Sequence, residues 1–82
     1  METTEIKSKI KVIIAGMFDI QPGDVAEAKP FPEMAKYDSM RALEFLAKVE
    51  NEFDIVIDPD KLANMYTVDL AAGVIEECIR AK

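Results

Sequence analysis

Eighty-two residues, half of them apolar, can build one small core, and a domain this short is only modestly stable. Ten Lys and Arg against sixteen Asp and Glu give a net charge of −6, which argues against nucleic acid, whose binding needs a basic footprint. A single Cys and no His exclude an internal disulfide and leave too few ligands for a conventional zinc site.

Pro and Gly are few, so disorder across the whole chain is not expected. The longest apolar run, Val12 to Gly16, is far too short to span a membrane. The opening Met1-Glu2-Thr3-Thr4-Glu5 is polar and acidic, unlike a secretory leader, and the expected location is cytoplasmic.

Taken in order, the chain begins with Ile6, Ile10, Ile13, Ile14 and Met17 at helical spacing, with Lys7, Lys9 and Lys11 largely on the other side. This predicts a helix from Thr3 or Thr4 to about Phe18, capped by one of the two threonines, with Glu5 in its first turn and Val12 at the border of its apolar stripe. Asp19 to Tyr37 is a long connection. Pro22-Gly23-Asp24 signals a turn, Pro30 and Pro32 forbid a continuous helix, and Ile20, Val25, Phe31 and Met34 are the candidate apolar anchors.

A second helix is expected from about Ser39 to Phe53, with Leu43, Leu46, Val49 and Phe53 as its core stripe and Met40 and Ala42 beside it. Arg41, Glu44 and Lys48 fall three and four residues apart on the opposite side, close enough to pair weakly. Phe45 lies off that stripe, either lining a pocket or exposed to a partner. Ile55-Val56-Ile57 could form a strand but has no partner strand, so an extended connection with Ile55 or Ile57 buried is expected. Asp58-Pro59 starts a short helix to about Asn64. Thr67 caps a last helix from Val68 to about Arg80, whose inner face is Val68, Ala71, Val74 or Ile75, Cys78 and Ile79. The fold class is therefore all-α: a small antiparallel four-helix bundle, three longer helices plus one short one, forming a single domain over residues 1–82.

Little in this chain supports catalysis. A Ser nucleophile needs a base and oxyanion donors, and His is absent. Asp38 is a weak base better suited to capping, and Lys36 is expected to be exposed and protonated. Asp58 with Asp60, and Glu76 with Glu77, read as helix-start or solvent-facing charge, and Asp54, Asp58 and Asp60 do not match calcium-loop spacing. Cys78 reads as a small core residue.

The tripeptide Asp38-Ser39-Met40 stands apart. It lies between the Pro-broken Lys29-Pro30-Phe31-Pro32 and the second helix, placing Ser39 at a helix entrance, where free N–H groups and the helix dipole favour an anion. Asp38-Ser39-Met40-Arg41-Ala42-Leu43-Glu44-Phe45-Leu46 continues to Glu50-Asn51-Glu52-Phe53-Asp54, Ile57-Asp58-Pro59 and Met65-Tyr66-Thr67-Val68. This succession resembles the acyl carrier proteins, over essentially the whole chain. The resemblance implies a non-enzymatic carrier in fatty-acid or related lipid, polyketide or specialised biosynthesis, with 4'-phosphopantetheine from coenzyme A attached to Ser39 and acyl groups held on it as thioesters. It implies a phosphopantetheinyl transferase and acyl-loading and acyl-modifying enzymes as partners. Their docking surface would be the exposed side of the second helix, around Asp38, Met40, Arg41, Glu44, Phe45, Lys48 and Glu50. A short acyl chain would fold back against Phe45, Leu46 or Ile57. No metal, nucleic acid or membrane insertion is implied, and a small acidic carrier is most simply a monomer.

The chain departs from the family pattern before the tripeptide, where Ala35, Lys36 and Tyr37 replace the usual Leu-Gly and spacer. Met40 replaces the usual Leu, as in D-alanyl and some peptide-synthetase carriers, and Arg41, Lys48 and Asn51 make the docking face less acidic. A D-alanyl or aminoacyl carrier is thus one alternative reading. An unmodified helical interaction module using the groove beside Phe45 is another, from a different class.

Overall fold

The computed structural model describes residues 2–31 and 38–81. Three α-helices, α1 (Thr3–Phe18), α2 (Ser39–Phe53) and α3 (Val68–Arg80), are joined through a 3-10 turn at Pro22–Asp24 and a 3-10 helix at Pro59–Asn64. Among the described residues there is no strand. The short helix expected after Asp58 is present in the tighter 3-10 form, with the Asp58 carboxylate accepting from the Asp60 N–H at 2.9 Å.

Helix α1 packs more extensively on α3 than on α2. Its stripe is Ile6, Ile10 and Ile14, all essentially inaccessible, with Ala15 and Phe18 also buried and Ile13 and Met17 flanking. Each fully buried aliphatic side chain contributes about 1.5–3 kcal/mol relative to exposure, so this stripe is the main reason α1 holds its place. Val12 points to solvent. The start of α1 differs from expectation: Glu2 occupies the cap position without a side-chain cap bond, and Thr3 is already helical. The Thr3 hydroxyl instead donates to the Glu76 carboxylate on α3, exchanging a local cap for a tertiary contact.

Helix α2 buries Ala42, Phe45, Leu46, Val49 and Phe53. Leu43 and Met40, expected in or beside the stripe, are 59% and 79% exposed. Leu43 stands about 100° around the helix from Ala42, and the small Ala42 side chain lets that face approach the core instead. α1 and α2 each end on an aspartate in the left-handed conformation, Asp19 at φ 57° and Asp54 at φ 52°. Asp is one of the few non-Gly types that reaches that region at modest cost.

Of the four anchors proposed for the long connection, Val25 and Phe31 are buried. Ile20 is exposed, and Met34 lies outside the described residues. The Phe31 ring meets Phe45 edge-on, with centroids 5.2 Å apart and planes at 69°. Its N–H donates to the Tyr66 carbonyl at 2.6 Å. Between α2 and the 3-10 helix, Ile55 and Ile57 are both buried while Val56 between them is 88% exposed, the alternation of an extended chain.

Helix α3 is capped as the sequence predicts. The Thr67 hydroxyl accepts from the Leu70 N–H at 3.0 Å, and Val68, Ala71, Ala72 and Ile75 form the buried face, with Val74, Cys78 and Ile79 partly buried beside it. Thr67→Ala removes a buried cap and is expected to cost about 1 kcal/mol. For a domain of this size that lowers the thermal midpoint by roughly 4–8 °C, which a circular-dichroism melt measures directly.

Candidate functional site

Ser39 is the first residue of α2. Asp38 precedes it in an extended conformation (φ −153°, ψ −178°), its carboxylate accepting from the Arg41 N–H at 2.9 Å and its carbonyl from the Ala42 N–H at 3.0 Å. The third and fourth amides of the segment are thereby satisfied. Those of Ser39 and Met40 take no acceptor among the described residues, and both residues are exposed. The result is a serine hydroxyl in solvent at the positive end of a 15-residue helix, beside two N–H groups available to an anion.

The residues grouped around it in the sequence do not all share one surface. Met40, Arg41, Glu44 and Lys48 are exposed or partly exposed on α2, and Arg41 Nη1 lies 3.4 Å from Glu44 Oε1. Phe45 does not belong with them. It is 2% exposed and fills the core against Phe31, so it offers no surface to a partner, and the reading that makes it an exposed contact is corrected. Asp38 is occupied as the helix cap. Glu50 is half-buried and accepts from the Ile57 N–H at 2.8 Å, fixing the connection after α2. Phe45, Leu46 and Ile57, the candidate lining for a short acyl chain, belong to one buried cluster.

Among the described residues no base stands ready for Ser39. The chain has no His, and the Asp38 carboxylate is bonded to the Arg41 amide. Lys36 lies outside the described residues. Among the described residues no group of three or more His, Cys, Asp or Glu could hold a metal ion. No described helix is long and apolar enough to cross a membrane.

A second polar cluster escapes sequence reading altogether. Glu27, in the connection, accepts from two lysines of α1: Lys7 at 3.3 Å on one oxygen and Lys11 at 2.7 Å on the other. Lys7 also lies 2.9 Å from Asp69 at the start of α3. The hydrogen bonds from Lys11 and then Lys7 hold the Glu27 carboxyl below its usual range, while those to Asp69 and then Glu27 raise Lys7. The only signal in the sequence is the i, i+4 spacing of Lys7 and Lys11, which cannot name an acid sixteen residues on.

The sequence matches the family described as the phosphopantetheine attachment site over residues 8–74, most of its length. The chain belongs to the acyl carrier protein family. It is 32% identical over 71 residues to polyketide-8 synthase acyl carrier protein 1 of Streptomyces avermitilis, covering 87% of this chain and 84% of that one. It is also 29% identical over 81 residues to the acyl carrier protein of Thermosynechococcus vestitus, covering 99% and 100%. In three dimensions it resembles the solved acyl carrier protein from Enterococcus faecalis, with a TM-score of 0.78 at 27% identity over 95% of this chain and 99% of that chain. An acyl carrier protein is a carrier and not an enzyme. Its cofactor is covalently bound 4'-phosphopantetheine.

Proposed function

We propose that Ser39 is the attachment residue for 4'-phosphopantetheine and that the chain presents acyl groups from it to enzymes of fatty-acid, polyketide or related biosynthesis. One observation carries the reading: an exposed hydroxyl at the first position of α2, beside two amides without acceptors among the described residues. Attachment through a phosphodiester adds about one negative charge at the positive end of that helix, where it is favoured. When bound, the group supplies a terminal thiol that holds acyl groups as thioesters. The chain's own contribution is position. Asp38 fixes the helix start, and the rigid α2 holds the attachment point in solvent.

Partner enzymes, including the transferase that modifies Ser39, would approach over the exposed side of α2. Met40 and Leu43 offer apolar contact there, and Arg41, Glu44 and Lys48 give a mixed charge pattern. Family membership favours this reading over an unmodified interaction module. The test is intact-mass measurement after incubation with coenzyme A and a broad-specificity phosphopantetheinyl transferase. One phosphopantetheine is expected per chain, located on the peptide containing Ser39. A mass that does not change overturns the proposal.

A further inference from the structure

The described connection between α1 and α2 is held to the rest of the molecule by few polar contacts, and Glu27 makes most of them. Its carboxylate binds Lys7 and Lys11 of α1, and its carbonyl accepts from the Asp69 N–H of α3 at 3.2 Å. Asp69 closes the circle through Lys7. Two cations from α1 thus meet one anion from the connection and one from α3, a locally neutral knot in a chain of net charge −6. Its members are partly exposed, with side-chain accessibilities from 28% to 47%. Salt therefore reaches these pairs, whereas it does not reach the aliphatic stripe beneath α1. Farther along the same segment, the Phe31 N–H makes a further main-chain link, to the Tyr66 carbonyl.

We propose that Glu27 is an electrostatic latch that holds the segment Val25–Phe31 against α1 and α3, and that removing it makes this segment open more often, as a unit, while the three helices stay folded. Local opening at a free energy below that of global unfolding is the normal behaviour of a segment with few buried anchors, here Val25 and Phe31. The latch adds a control to that opening: ionic strength acts on it, and the neutral isostere Gln cannot replace it. Because the segment also packs Phe31 on Phe45 of α2, its release loosens the support behind the helix that bears Ser39.

Amide hydrogen exchange on the full chain tests this without reference to the modification. The reporters are the Asp69 and Phe31 N–H groups, which bond to or from the segment, and the references are the helical amides of Ile10, Val49 and Ile75. In Glu27→Gln at low salt the two reporters are expected to exchange roughly 3- to 10-fold faster, with the references unchanged. In the unmutated chain, raising salt from about 0.05 M to about 1 M is expected to accelerate the same two amides, and Glu27→Gln is expected to abolish that response. Wild-type exchange rates in Glu27→Gln, or acceleration of all five amides together, would overturn the latch. Should Glu27→Gln fail to fold, the salt series on the unmutated chain decides alone: a flat response, or one shared by the references, overturns it too.

Discussion

Ser39→Ala is expected to abolish phosphopantetheine attachment while leaving the fold intact. The side chain is exposed and bonded to nothing among the described residues, and the helix start is held by Asp38, which the substitution does not touch. Alanine is also the residue most favourable to a helix. Stability should stay within about 0.5 kcal/mol of the parent, as for other surface changes. The intact mass should not change after incubation with coenzyme A and the transferase, where the parent gains one group. Ser8 is the only other serine, and it lies inside α1, where the backbone amides are engaged in the helix. A mass gain that survives in Ser39→Ala would move the attachment elsewhere and remove the argument from the entrance of α2.

Phe31→Ala should give the largest loss of stability. Phe31 is among the largest fully buried side chains, and its ring is the edge-on partner of Phe45. Truncating a buried Phe to Ala removes about 3–5 kcal/mol through lost transfer energy and the cavity left behind. At roughly 0.05–0.15 kcal/mol per residue, a chain of this length has only about 4–12 kcal/mol in total. A substantial fall in the urea midpoint at unchanged slope is therefore expected, and at the lower end of that range the variant is largely unfolded at 25 °C. Val12→Ala, on the exposed side of α1, should change stability by less than about 0.5 kcal/mol and serves as the control. If Phe31→Ala unfolded at the parent's midpoint, the aromatic pair could not be an anchor of the connection.

Much of this architecture was legible because local chemistry and tertiary packing agree. The α1 stripe, the Thr67 cap, the Pro at the start of the short helix and the Ile-Val-Ile alternation each state their role in the residues themselves. The place of Ser39 at the start of α2 was legible for the same reason, since Asp before an apolar helix is a cap signal. What was misread concerns rotation and distance. Leu43 and Phe45 both lie within a turn of the Leu46 and Val49 row, and it is Phe45 that turns inward, where it meets Phe31 from outside the helix. Thr3 is an ordinary cap by type, yet Glu76, far away in sequence, drew its hydroxyl across to α3. The Glu27 knot joins three separate segments, so no window of the sequence contains it.

Glu50 has an effect that reaches beyond the single molecule. Ile55-Val56-Ile57 is the kind of sequence that templates sheet formation between chains, being β-branched throughout and flanked by turns. Such pairing needs unoccupied main-chain donors along an edge. Both inward residues have already spent theirs on Glu50, the Ile55 N–H on its carbonyl and the Ile57 N–H on its carboxylate. Glu50, through its carbonyl and its carboxylate together, thus occupies the inward main-chain donors of this β-prone tripeptide and leaves that edge without them.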